Sequence, residues 1–133
     1  MLRAWFRHIT VVAVIGMAFI PVARAQSFPF GLEMTLDVAP MPGSKRIPTL
    51  EIGDDGEVLV ELWCKGGKGR ISIAGDSVVF IPGVIADRGC PPAKVEADDA
   101  LLSALTNATN WSRQGDFITF SGAQPLRFRL NTN

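Results

Sequence analysis

The chain has 133 residues, with 13 basic and 13 acidic side chains, one histidine, two cysteines and no tyrosine. That length accommodates one domain and argues against a two-domain enzyme. The charge balance is uneven along the chain, because Arg3, Arg7 and Arg24 fall within residues 1–25 and no acid does.

Residues 1–7 are a short basic stretch, residues 9–20 a nearly unbroken apolar run, and Ala23-Arg24-Ala25 precedes Gln26. These are the three parts of a secretory signal, with cleavage expected between Ala25 and Gln26, where small side chains fill the A-x-A pattern. A membrane anchor is the competing reading, but the run is shorter than the about 20 residues a helix needs to span a bilayer. The residue directly after the cleavage point is Gln26 rather than a cysteine and the segment holds no Arg-Arg pair, so neither a lipid anchor nor twin-arginine export is indicated. Removing these 25 residues from 133 leaves 108, with ten basic and 13 acidic side chains, a net charge near −3 and no histidine, since His8 leaves with the signal. A mildly acidic domain is a poor electrostatic match for nucleic acid or an anionic membrane. The expectation is a periplasmic or secreted domain with no transmembrane segment, able to bury roughly two-thirds of its unfolded surface.

In the exported chain, residues 26–29 read as a loose leader. Leu32, Met34, Leu36 and Val38 then alternate with Glu33, Thr35 and Asp37, the period-two pattern of a half-buried strand. Leu50 and Ile52 lead into Gly53-Asp54-Asp55-Gly56, a hairpin turn, after which Val58, Val60, Leu62 and Cys64 form an apolar row. That row places Cys64 inward, with Leu59, Glu61 and Trp63 on the other face. Residues 65–70, Lys-Gly-Gly-Lys-Gly-Arg, read as a glycine-rich basic loop, followed by a second hairpin through Ile71, Ile73 and residues 78–81 that Pro82-Gly83 breaks. The convincing helix is at residues 95–109, with Leu101, Leu102, Leu105 and Ala108 at helical spacing. Asp98 and Asp99 lie near its start, where carboxylates suit the positive end of the macrodipole. Strands are expected at residues 117–120 and around Leu126, Phe128 and Leu130. Seven or eight short strands flanking one helix give an α+β class, a curled or barrel-like antiparallel sheet with the helix covering one opening.

The two cysteines survive export into an oxidising compartment, so a Cys64–Cys90 disulfide is expected. A redox dithiol is the alternative, although the C-x-x-C motif is missing, and two free buried thiols are the third possibility. Without histidine the exported domain lacks the commonest general base and metal ligand, which excludes Ser-His-Asp and Cys-His mechanisms. Asp54-Asp55 and Asp98-Asp99 read better as turn and helix-start residues than as glycosidase carboxylates or calcium ligands, and the EF-hand spacing is not met. The Walker spacing also fails at residues 65–70. Those residues are either a basic hairpin loop or an anion site, and Trp63 and Trp111 either fill the core or line a binding surface. The candidate surface is Trp63, Lys65, Lys68 and Arg70; no catalytic, cofactor or metal residue is assigned.

The order of features resembles the META-domain family, the HslJ-like heat-shock proteins of bacterial envelopes. The resemblance is carried by Leu62-Trp63-Cys64, by Arg88-Gly89-Cys90-Pro91, and by the acidic helix with its leucine pair from Asp98 to Leu105. Trp111 before a Gly-Asp hairpin and the closing Leu126-Arg127-Phe128 complete it. Where many members have Gly-Cys-Asn, this chain has Trp63-Cys64-Lys65. The resemblance implies a compact β-rich domain with one helix, exported, linked to envelope stress and integrity, and without an established enzymatic activity. The expected organisation is a signal at residues 1–25, a leader and first strand at 26–45 and a META-like domain at 46–133, with one globular unit over 28–133. The partner expected is another envelope protein or a small ligand bound by a monomer, with a secreted inhibitor of a lytic enzyme such as lysozyme, or a thiol-disulfide protein, as alternatives.

Overall fold

The computed structural model describes residues 16, 18–21 and 27–132. Most of the expected export signal, including Ala25 and Gln26, lies outside the described residues. Eight strands and one helix follow in the order β1 (Glu33–Leu36), β2 (Thr49–Ile52), β3 (Glu57–Glu61), β4 (Gly66–Ala74), β5 (Ser77–Ala86), α1 (Pro92–Thr106), β6 (Asn110–Gln114), β7 (Phe117–Ser121) and β8 (Leu126–Leu130). Each strand pairs antiparallel with its neighbours in sequence, and β1 pairs with β8 to close a barrel. The α+β class and the curled sheet with one helix are as the strand pattern predicts.

Period-two alternation puts one side chain in two inside the ring, and the register sets inward residues opposite inward residues. Met34 faces Leu130, Leu36 faces Phe128, Leu50 faces Val60, Ile52 faces Val58 and Trp111 faces Phe120. Met34, Ile52, Val58, Val60, Leu62, Ile118, Phe120 and Phe128 are essentially inaccessible and form one core. Burial of each contributes roughly 1.5–3 kcal/mol against chain entropy.

Antiparallel alternation places the β1–β2, β3–β4 and β7–β8 connections at one end of the barrel, and α1 lies across that end. Asp98 of α1 bonds to the β3–β4 turn. At the far end of α1, a Cβ on Gly122 of the β7–β8 turn would come within 2.6 Å of the Asn107 carbonyl oxygen. Leu101, Ala104 and Leu105 point from the helix into the barrel. The barrel closes weakly between β5 and β6, which share only the pair Ser77↔Asn110.

Several local expectations are corrected. The glycine-rich segment at residues 65–70 is not a projecting loop, because β4 starts at Gly66 and runs unbroken to Ala74. Its glycines serve close approach: a Cβ on Gly67 would overlap the Val84 carbonyl oxygen and stand 2.9 Å from the Ile85 Cα, and one on Gly66 would strike the Arg88 guanidinium. Gly67→Ala is therefore expected to cost about 1–3 kcal/mol, the range for overpacking a fitted interior, read as a lowered urea midpoint at unchanged slope. Pro82 and Gly83 do not break β5, because the ladder absorbs them at a register shift where Pro82 faces Gly69. Residues 26–29 are not a loose leader throughout, since Phe28 packs edge-on against Trp111 at 5.0 Å and belongs to the core. β1 pairs on both sides and is a full stave of the barrel.

Candidate functional site

The helix-capped end of the barrel gathers most of the chain's polar chemistry. β3 ends at Glu61, and the chain turns at once, with the Leu62 N–H donating to the Lys65 carbonyl at 2.9 Å. The apolar row therefore does not continue in strand geometry to Cys64, which is half-buried in the turn. Trp63, which alternation assigned to the outer face, is instead only 8% exposed.

This turn points three consecutive N–H groups at one carboxylate. Asp98 Oδ1 accepts from the Trp63 N–H at 2.7 Å, and Oδ2 accepts from Cys64 at 3.1 Å and Lys65 at 2.8 Å. Asp98 is fully buried, and it is the one buried charged residue among the described residues. A carboxylate in that position is tolerable because charge-assisted bonds replace its hydration. Asp98 is not a helix-start residue: α1 begins at Pro92, three residues earlier than periodicity indicated, and ends at Thr106. Its carboxylate thus lies in the second turn and serves the neighbouring turn rather than the macrodipole. Asp99 points outward and pairs with Lys65 Nζ at 3.2 Å. A signal for this role was present, because Asp98 precedes Leu101 and Leu105 by three and seven residues and so lies on the buried stripe.

The same turn is tied a second time by the Cys64–Cys90 disulfide, whose Cα atoms are 5.8 Å apart. Cys90 is set just before α1 by Asp87, whose Oδ1 accepts from the N–H groups of Gly89 and Cys90. Beside the disulfide, Glu61 accepts from Arg46 at 3.1 Å and from Arg88 at 2.9 and 3.3 Å. The Arg88 hydrogen bond holds the Glu61 carboxyl below the ordinary glutamate range; partial burial opposes this, and the charges of Arg88 and Arg46 add to it. A depressed carboxyl contributes stability above the ordinary glutamate pKa and loses it as pH falls through the lowered value. Glu61→Gln is therefore expected to be less stable than the native chain at neutral pH, with the two urea midpoints converging on acidification. A difference that stays constant with pH would contradict this.

These groups border a cleft of about 460 Å³ between the β1–β2 connection, the β3–β4 turn and the start of α1. Of the four surface candidates from the sequence, only Trp63 lines it. Lys65 turns to Asp99, Lys68 pairs with Glu57 at 3.3 Å on the barrel wall, and Arg70 donates to the Asp55 carbonyl at 3.1 Å. Lys68 and Arg70 stand two apart on β4 and share its outer face, whereas Lys65 precedes the strand and turns away from them to Asp99. The Asp54-Asp55 pair lies in its hairpin, with Asp55 Oδ1 accepting from the Glu57 N–H.

A META-domain family model matches residues 33–132. The chain belongs to the META-domain family. Among curated proteins none matches it. A solved NMR structure of a protein is similar at a TM-score of 0.58 and 16% identity, over 75% of this chain and 89% of that one, and shows the fold alone.

This META domain also carries an apolar outer surface that sequence reading missed. Val79, Ile81 and Val84 on β5 are 57%, 61% and 85% exposed. β5 has ten residues and no charged side chain, and beyond Ser77 no strand pairs with it on the β6 side. Exposed edges of soluble proteins are ordinarily blunted with charge. The alternation of Val78 and Phe80 with Val79 and Ile81 is itself the signal: both faces of β5 are apolar, whereas one-sided strands elsewhere in the barrel alternate with polar residues. Among the described residues no helix is long and apolar enough to cross a membrane.

Proposed function

We propose that this is a non-catalytic, exported, HslJ-like META-domain protein that supports the bacterial envelope under stress by binding another envelope component. The observation that carries the reading is the exposed apolar face of β5, held on a closed barrel with a disulfide at its capped end. Burying Val79, Ile81 and Val84 against a partner would recover the hydrophobic free energy that the isolated domain forgoes. The buried carboxylate is committed to three backbone amides, which favours a structural over a catalytic role for it. Export is supported by the three-part signal in residues 1–25, and the domain acts as a monomer. The alternative of a lysozyme-type inhibitor drew on a projecting basic loop at residues 65–70, and that segment is strand.

Two measurements test this proposal. The full chain produced in a bacterium should accumulate outside the cytoplasm with the mass expected for loss of residues 1–25; an unprocessed cytoplasmic product would overturn export. Immobilised oxidised domain should retain a saturable component of the envelope fraction, and an Ile81→Glu/Val84→Glu variant with an unchanged circular dichroism spectrum should lose it. Equal retention by both proteins would remove β5 as the contact.

A further inference from the structure

The cleft beside the disulfide reverses the charge of the domain around it. Residues 27–132 hold 13 acidic and ten basic side chains, yet the lining of this cleft includes Lys45, Arg46, Arg88 and Lys94 and no acid. Glu61, from outside the lining, bridges both guanidiniums, fixing Arg46 and Arg88 in place while neutralising only one of their two charges. Lys45 and Lys94 have no acidic partner among the described residues. Four cationic side chains thus converge against one carboxylate.

Such a grouping leaves net positive charge around the cleft, and exposed like charges repel modestly across water. Lys94 deepens the cost. It stands in the first turn of α1, where a cation opposes the macrodipole, and that turn contains no acid. No ion pair among the described residues offsets this at Lys45 or Lys94. A local rule broken without internal compensation marks a place where function sets the residue.

We infer that this cleft binds a phosphoryl group. Two guanidiniums held by Glu61 offer planar N–H donors, and the two lysines add mobile point charges, a combination that matches the several acceptor oxygens of a phosphate better than a single carboxylate. The Ser44 hydroxyl, which donates to the Arg46 carbonyl, lies on the same rim. Trp63 and the half-buried Cys64 also line the cleft. Because the patch is local, it is consistent with the negative charge of the domain as a whole, which disfavours extended polyanions but not one phosphate ester. The site is separate from β5, so the failure of either proposal leaves the other standing.

The test titrates the oxidised domain with inorganic phosphate at constant ionic strength while following backbone amide resonances. Saturable shifts are expected at Lys45, Arg46, Arg88, Ala93 and Lys94. The Lys45→Ala/Lys94→Ala variant, whose remaining resonances report an intact fold, should bind about tenfold more weakly or worse. A second arm sediments the protein with phosphatidylcholine vesicles, with and without an equal amount of phosphatidylglycerol. Retention only on the mixed vesicles, lost in the double variant, assigns the phosphoryl group to a lipid headgroup. Phosphate shifts without vesicle retention assign it to a soluble ester. Shifts that never saturate, or binding by the double variant equal to that of the native chain in both arms, overturn the inference.

Discussion

Replacing Asp98 with alanine is expected to cost about 3–5 kcal/mol of stability, the range for removing one side of a buried charged interaction. The substitution leaves the N–H groups of Trp63, Cys64 and Lys65 facing an apolar methyl group, and each buried donor left without a partner costs about 1–3 kcal/mol. Three such donors set an upper bound that local rearrangement and water entry reduce. Asp98→Asn should cost less, because one oxygen remains as acceptor while the new amide group faces donors it cannot accept from. Asp99→Ala, which loses only the exposed ion pair with Lys65, should stay within about 1 kcal/mol of the native chain. Urea unfolding of the oxidised proteins ranks the three. An Asp98→Ala variant as stable as Asp99→Ala would show that the turn does not depend on this carboxylate.

Removing the disulfide as Cys64→Ala/Cys90→Ala is expected to lower stability by about 3–4 kcal/mol, since the bridge closes a loop with a sequence separation of 26. The loop contains β4, β5 and the segment leading to α1, so without the bridge the denatured chain gains freedom across about two-fifths of the barrel's strand residues and the junction with the helix. Of a total of about 5–15 kcal/mol typical for a domain of this size, that is a large share. Native protein treated with dithiothreitol should unfold at the urea midpoint of the double variant. A midpoint unchanged by either treatment would indicate that Asp98 and the core alone hold the turn.

Much of the architecture was legible because it depends on local alternation. Val58 and Val60, Met34 and Leu36, and Phe128 and Leu130 each sit two apart, so their faces follow from the pleat whatever the neighbouring strands are. Asp and Gly turns, the cysteine pair and the helix with Leu101 and Leu105 are likewise local signals. The failures cluster where the chain answers to something distant. Residues 65–70 looked like a loop because glycine has little strand propensity, but Gly66 and Gly67 are glycine because Arg88 and Val84 press on them from across the sheet. Pro82 looked like a terminator because its missing N–H is normally needed in a ladder, and the register shift opposite Gly69 removes that need. Phe28 looked like leader because nothing local reports that Trp111 and Phe120 leave room for its ring.

The candidate site divides in the same way. The sequence by itself determined a small β-rich fold with one helix and two cysteines to be bridged, because composition and short-range periodicity carry those properties without reference to a partner strand. Only the tertiary structure decided that Asp98 faces three backbone amides 33 to 35 residues away, that Lys65 turns to Asp99 and away from Lys68 and Arg70 on β4, and that Lys45, Arg46, Arg88 and Lys94 meet around one cleft. The physical reason is that charge and hydrogen bonding act through space over a few ångströms. The residues that meet at the capped end come from the β1–β2 connection, the β3–β4 turn, the β5–α1 connection and the start of α1, and barrel closure, which no local pattern encodes, is what brings them together.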